Sequence, residues 1–598
     1  MRTALCVILL LILTVAAAGQ SYYCDYYASP TGTSAGSGSS SSPWDLRTAL
    51  GNTAEVSSGK TLCLKGGTYY GKFSSKLNGA VIRSAPSEWA KIDGFLTTTL
   101  VSSISDSQTS FTVSDGSVLV YPPGSDSGVG VLADSELIAV YGISGNTVTQ
   151  ANRGGATGTS PAVPHSAGTT LYVKGTNLFV EGNGATYRDF EITNSIQFRN
   201  RDTSCENIRG LGIHNIGNGN KFINLVVHDV ENGILTSNSS ANTEIYGTLV
   251  YNNGLYRVVD SVTEGYAHGL YLENGSGYSR LYEDIIFNNF NLNTQMFGVT
   301  AAYVGGDVIG SVWANSGSPM GKFYANQRHT NLLIGTDTQE IPFISITESH
   351  FVNPLNTSGS GIKLGYGSGA ANGVISNNYF YGGGGRLLEV IDTPSLSVLG
   401  NKFYGTDPSL RYTLVWQNSQ YTWDNNTYYG GFDRYIYNIN DSNGGENRKF
   451  DVWKAETGFD ANSTETSTPM PTTVVVRPNS YQTGRGNVLV YANGATSVNV
   501  DLSQLGLVNG QGYEIRNAFD YFGPVVATGT YNSGSPTVSV PLNGAALNVA
   551  APVGLGYTPP TTCPDFCAMI LVPGAEGGGG TSNSTTGTVK LSGTVRMN

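Results

Sequence analysis

Short apolar runs recur along the chain between residues 186 and 430, each followed by asparagine, an aromatic residue and often glycine. The copies include Phe190-Glu191-Ile192-Thr193-Asn194, Leu225-Val226-Val227-His228, Leu249-Val250-Tyr251-Asn252-Asn253, Ile285-Ile286-Phe287-Asn288-Asn289, Asn377-Asn378-Tyr379-Phe380, Asn401-Lys402-Phe403 and Asn425-Asn426-Thr427-Tyr428. The steps from His228 to Tyr251, Phe380 to Phe403 and Phe403 to Tyr428 are 23, 23 and 25 residues. No run is long enough to bury its own face, so the pattern predicts coils that stack strand on strand around one core. The asparagines fit the bends, where their amides can bond the equivalent residue one coil away and satisfy groups a turn would orphan. Steps of 36 residues from Tyr251 to Phe287 and 64 from Phe287 to Phe351 predict loops or a divergent coil. A solenoid usually carries its function in such places.

Around the coils the texture changes. Residues 1–18 have a basic start, the apolar stretch Leu5 to Val15 and Ala16-Ala17-Ala18, which predicts a secretory signal peptide and an exported protein. Residues 19–98 are expected to cap the first coils, since an open solenoid end is an unpaired sheet edge. Residues 99–174, with alternating strands and a Gly145-Asn146 turn, predict an inserted small β module, and 175–445 the main solenoid. In the insert, Arg153 and His165 are expected to lock the module by hydrogen bonding. Residues 446–575 hold a helix turn at Phe450–Gly458 and then well-spaced strands, predicting a C-terminal antiparallel β domain of sandwich type; 576–598 is a Gly/Ser/Thr tail.

Composition narrows the partners. Charged residues make up 13% of the chain and the net charge is −11, which argues against nucleic acid and a polybasic membrane patch. No stretch beyond the signal is apolar enough to span a bilayer. What remains is a polysaccharide or cell-surface glycan, with calcium as the one cofactor the carboxylates suggest. The oligomeric state is not legible. Five cysteines follow the signal; Cys24 with Cys63 and Cys563 with Cys567 are the expected pairs, leaving Cys205 over.

The repeated coil text, Tyr26-Tyr27-Ala28-Ser29-Pro30 with Leu62-Cys63-Leu64-Lys65-Gly66-Gly67-Thr68-Tyr69, and Ala267-His268-Gly269 resemble the right-handed parallel β-helix proteins. That group includes pectate lyases, polygalacturonases, alginate epimerases and phage tailspikes. The insert resembles a small β module of phage tail and bacterial surface proteins, and the C-terminal domain resembles one attached to secreted bacterial β-helix proteins. The resemblance implies an all-β chain: a right-handed parallel β-helix with an inserted β module and a C-terminal antiparallel domain. Polygalacturonases carry Asn-Thr-Asp, Asp-Asp, Gly-His-Gly and Arg-Ile-Lys on successive coils. This chain has Ala267-His268-Gly269 and Gly361-Ile362-Lys363-Leu364 but no Asp-Asp pair.

Candidate chemistry centres on Glu264 to Asn274. In a strand from His268 to Glu273, Leu270 and Leu272 must face the core, which turns Tyr271 and Glu273 outward. A tyrosine beside a carboxylate suits a sugar, the ring stacking on C–H groups and the carboxylate taking hydroxyls or calcium. His268, with Glu264 and Glu273, is the expected acid–base set, and Tyr271 and Arg280 the expected binding groups. A second surface is expected one or two coils earlier. With Ile223, Leu225 and Val227 facing in, Asn224, Val226 and His228 face out and Asp229 and Glu231 follow at the bend. Stacking is expected to bring His228, Asp229 and Glu231 near Tyr271 and Glu273. The functions in view are a polysaccharide lyase or glycoside hydrolase, or a non-catalytic glycan-binding, adhesive or tailspike-like surface protein.

Overall fold

The structure is a computed structural model. It describes residues 23–574 except 120–127, 155–160, 202–207, 260, 300–302, 325–328, 355–358, 370–371, 383–385, 392, 406–419, 431–434 and 437–446. The signal, Cys205 and the tail expected at 576–598 lie outside the described residues.

Three long sheets run the length of the solenoid, all with parallel neighbours along the coils. Sheet I has twelve strands, sheet II twelve and sheet III nine. One coil contributes one strand to each: Leu178–Val180 to sheet III, Thr186–Arg188 to sheet I and Glu191–Thr193 to sheet II, and the next repeats the order with Ile213–Asn215, Lys221–Ile223 and Val226–His228. The strands pair without offset, so Leu178, Ile213, Ile234 and Leu270 form one inward row on sheet III. All four are at most 1% exposed. This is a parallel β-helix.

Sheet II supplies the other large inward row. Val227, Val250, Ile286, Trp313, Phe351, Phe380 and Phe403 are in register, and the rings from Trp313 to Phe403 stack with centroids 4.7–5.1 Å apart. The spacing is the inter-strand distance, so the stacking comes with the pairing. Trp313 reaches across the lumen, its Nε1 donating to Thr294 Oγ1 of sheet III at 2.9 Å. Leu225, Val227, Leu249, Leu270, Leu272 and Ile285 are all buried. Leu249 and Ile285, however, align with Lys402 on the outer face of sheet II.

The bends are built as the asparagines suggest. Between sheets II and III a buried amide ladder runs from Asn253 to Asn289, Asn293, Asn331 and Asn353, each Nδ2 donating to the next Oδ1 at 2.9–3.0 Å. Between sheets I and II a second runs from Asn378 to Asn401, Asn426 and Asp460. In the Asn-Asn pairs the first residue makes the turn, Asn252, Asn288, Asn377 and Asn425 lying at φ 51–58°. The second enters the ladder. Asparagine is among the few residues that take left-handed backbone at small cost, so the doublet divides two tasks between two side chains.

Excursions leave at the bend from sheet II to sheet III. The largest is a six-stranded antiparallel sheet of Thr97–Thr99, Phe111–Thr112, Val129–Ala133, Glu136–Ser144, Thr147–Asn152 and Thr170–Val173. Its first and last strands pair with each other, so chain entry and exit are adjacent. Fully buried Glu136 takes two bonds from Arg153 at 2.7 and 2.8 Å and one contact from His165 Nε2 at 2.9 Å, which makes Arg153 and His165 structural.

The chain divides into two compact units. One runs to Thr427 and takes in Asp433–Thr464 and Pro552–Tyr557; the other holds Glu465–Ala551 and the chain from Thr558. The second unit has a five-stranded antiparallel sheet in the order Thr473–Pro478, Gly486–Tyr491, Phe566–Pro573, Gly512–Asn517, Val525–Thr530, and a two-stranded ribbon of Ser497–Asp501 and Thr537–Pro541. Both contribute to one apolar core, among them Val488, Ile515, Met569, Val500 and Val540. Cys24–Cys63 and Cys563–Cys567 are disulfides.

Candidate functional site

A cavity of about 280 Å³ opens at the bend between sheets II and III, lined in part by Asn232, Arg257, Glu264, His268, Tyr271 and His329. It exists because the chain leaves the coil after Leu249–Tyr251 and makes a hairpin, Leu255–Val259 against Val262–Tyr266, before rejoining sheet III. The long step from Tyr251 to Phe287 is this hairpin.

Rejoining needs a sharp turn, taken at Ala267 with φ 67°. The strand therefore begins at Leu270 and ends at Leu272, shorter than the predicted His268–Glu273. His268 precedes it and is no core residue. Its backbone N donates to Asn232 Oδ1 of the previous coil at 2.7 Å, and its ring meets that of Tyr271 edge-on at 5.7 Å. Nδ1 of His268 is buried with no hydrogen-bond partner among the described residues. Burial, and secondarily the charge of His329, lower its pKa to about 3, so the imidazole is neutral at physiological pH.

Tyr271 and Glu273 face outward from sheet III as alternation requires, both half-buried. They bond each other through phenol and carboxyl. Burial first, and the Glu273 charge second, push the phenol up to about 12; burial also raises the Glu273 carboxyl. Glu264 sits on the hairpin opposite Arg257, whose Nε pairs with its Oε1, and the guanidinium lies over the Tyr266 ring at 5.0 Å.

The second expected surface is different from its prediction. His228 does lie on the opposite face of its strand from Val227, but its side chain is 12% exposed and held by neighbouring groups. Its ring stacks on Tyr251 at 4.8 Å, Nδ1 lies 2.7 Å from Asp229 Oδ2, and Nε2 lies 3.2 Å from Glu191 Oε1. Although burial works against charge, the two carboxylates win and raise His228 to about 9. Asp229 is 2% exposed and pairs with Arg199, while Arg209 donates to its carbonyl oxygen. Val226, expected outward, is fully buried; it lies on the same face in a neighbouring row with Leu249 and Ile285, while the adjacent row of His228, Tyr251 and Phe287 stacks ring on ring. Glu231 adjoins Asn232 at the bend, its N bonded to Gly210 O at 2.8 Å, and does not line the cavity. Arg280 is on sheet I between Glu244 and Asp307, a different face from Tyr271, so it is not part of this site.

Sequence inspection passed over Arg257, Asn232 and His329. Arg257 and Glu264 were readable only as partners across a hairpin, and the turn at Val259–Val262 contains none of the glycine or asparagine that marks one. Among the described residues no group of three His, Cys, Asp or Glu side chains is placed to hold a metal ion. No helix among them is long and apolar enough to cross a membrane.

No protein-family model matches the chain, and no curated protein matches it in sequence. Among solved structures it is similar to pectate lyase Pel9A (15% identity, 67% of this chain and 78% of that one, TM-score 0.39). It is also similar to the A-module of the Azotobacter vinelandii mannuronan C-5 epimerase AlgE4 (11%, 68% and 88%, 0.37) and to the Dettilon tailspike gp208 (11%, 91% and 94%, 0.32). At these scores the likeness carries no argument about activity; the architecture rests on the chain's own strand pairing.

Proposed function

We propose that the protein is a secreted, polysaccharide-engaging β-helix protein that cleaves its glycan by a lyase-like β-elimination at the His268–Tyr271 cavity. The observation that carries this reading is the cavity's chemistry: its lining includes a neutral imidazole whose buried Nδ1 has no hydrogen-bond partner among the described residues, a protonated phenol and a guanidinium. Elimination from a uronic acid needs a base for the proton beside the carboxyl group, an acid for the leaving oxygen, and a cation against the carboxylate. His268 serves as base. The carbon–hydrogen bond breaks, a double bond forms, the glycosidic bond breaks, and Tyr271 passes its proton to the departing oxygen. Arg257 faces the substrate carboxylate, whose charge in turn favours protonation of His268.

Hydrolysis fits less well, because it calls for two carboxyl groups across the bond, and among the described residues lining the cavity Glu264 alone carries a carboxyl group. Export is supported by the two disulfides and the leader-like residues 1–18.

A non-catalytic glycan binder is the second reading, and one observation favours it. The outward row of sheet III runs His214, Leu235, Tyr271, Gln295, Leu333 and Lys363 in register, the rings of Phe297 and Tyr366 from its strands lie 6.1 Å from each other, and Lys363 lies over the Tyr366 ring. Successive strands lie about 4.8 Å apart, close to the length of one sugar residue, so an extended chain can lie across them. A panel of uronate and neutral glycans, assayed for both unsaturated product and reducing ends, separates the readings. Unsaturated ends support elimination, reducing ends alone support hydrolysis, and retention without product leaves a binder.

A further inference from the structure

In the first coil, at the bend from sheet II to sheet III, a lysine stands at the position that Asn293 and Asn331 take in later coils. Lys72 precedes the strand Phe73–Ser75 and Asn177 precedes its parallel neighbour Leu178–Val180, so the two side chains occupy equivalent positions on successive coils. Lys72 is 4% exposed and Asn177 fully buried, and Lys72 Nζ lies 3.1 Å from Asn177 Oδ1. The amide is clamped. Its Nδ2 donates to Thr193 O at 2.7 Å, and a Cβ on Gly94 would fall 1.8 Å from Oδ1, so glycine is required for the backbone to pass. Asp93, next in the chain and 2% exposed, directs its charge at Lys72 and anchors its Oδ1 on the backbone N–H groups of Phe95 and Ser195 at 3.0 Å each.

A hydrogen bond alone does not need a lysine here, since asparagine serves at Asn293 and Asn331. Burying an ammonium without a full counter-charge is costly, and the group sheds its proton instead. Burial lowers Lys72 to about 7 against the opposing effect of Asp93, and Arg209 pushes the same way as burial. A neutral, immobilised amine in hydrogen-bond contact with an immobilised carboxamide, within the field of a buried acidic side chain, is an arrangement for amide exchange.

We propose that Lys72 and Asn177 form an intramolecular isopeptide bond, with Asp93 as proton carrier. Neutral Nζ attacks Cγ of Asn177. The new Nζ–Cγ bond forms, the Cγ–Nδ2 bond breaks, and one Nζ proton travels through the Asp93 carboxyl to Nδ2, which leaves as ammonia. No oxidant, metal or other reagent takes part. The residues are 105 apart in sequence and the whole insert lies between them. The bond would therefore close a covalent loop at the base of the insert and hold the first coils to the rest of the solenoid after any cut within the insert. The polysaccharide reading plays no part in this inference.

The test is peptide mapping of the full chain, reduced and denatured before digestion. The expected result is a branched peptide containing Lys72 and Asn177, lighter by one ammonia than its two parts, and its loss in Asp93→Asn. Cleavage within the insert followed by reducing denaturing electrophoresis should leave the two fragments joined. Recovery of the Lys72 and Asn177 peptides separately from the native protein, both unmodified, overturns the proposal. The wild-type map decides the matter even if Lys72→Arg or Asp93→Asn fails to fold.

Discussion

His228 and His268 are both held out of solvent and carry opposite charge states. His228 is raised to about 9 by Asp229 and Glu191, so its contribution to stability is complete below the unfolded value near 6.5 and is lost as pH rises through 9. His268 and His214, lowered to about 3 and about 4 chiefly by burial, work in reverse: their contribution is complete above about 6.5 and is lost as pH falls toward those values. Thermal stability of the helix unit should therefore decline between about pH 6.5 and 9. In His228→Gln that alkaline decline should flatten, at a cost of about 2 kcal/mol near neutrality. An unchanged alkaline limb in melts of the variant would mean His228 is neutral. At the cavity, Tyr271→Ala should weaken glycan binding by about 1 kcal/mol through lost ring contact, and Glu273→Gln should leave stability nearly unchanged. His268→Ala should abolish unsaturated product while sparing retention on glycan. Turnover equal to the parent's in all three would remove the cavity from the chemistry.

At the scale of elements, the asparagine doublet Asn252-Asn253 lets the hairpin excursion that follows it be long without disturbing the coil. Turn and ladder residues are adjacent in sequence, and the ladder fixes the bend from within. The insert is tolerated for a different reason: Thr97–Thr99 and Thr170–Val173 pair at its base, and its core of Ile104, Val131, Ile138 and Val148 is its own. Replacing 97–173 by a short Gly/Ser loop should leave a soluble chain with the far-ultraviolet dichroism of the remaining sheets. Collapse of that signal in a soluble deletion variant would make the insert part of the solenoid core. Coil strands were legible because each is an apolar run beside an asparagine. Facing was less so: three-residue strands buried on both sides, such as Leu249–Tyr251 and Ile285–Phe287, show no alternation to read.

At the scale of the whole molecule, Pro552–Tyr557 belongs with the helix unit although the strands on either side of it in sequence belong to the other. Val553 N donates to Asp229 Oδ1 at 2.9 Å, its O accepts from Arg199 Nε at 2.7 Å, and Leu555 packs with Phe290 and Met320. Ending the chain after Thr464 strips these partners from a buried ion pair, and each orphaned group costs about 1–3 kcal/mol. The helix unit of such a truncated protein should melt well below that of the full chain in calorimetry. Equal melting would show that the segment contributes nothing. The all-β class, the stacked coils and the asparagine bends were legible in local pattern, because each coil repeats the same short text of apolar strand and asparagine. The charge state of His228, the exclusion of Arg280 and the partnership of Arg257 with Glu264 were decided only in three dimensions. So were the return of Val553 and the meeting of Lys72 with Asn177. Burial and the partners brought by distant chain set those outcomes, and neither is a property of the residues nearby in sequence.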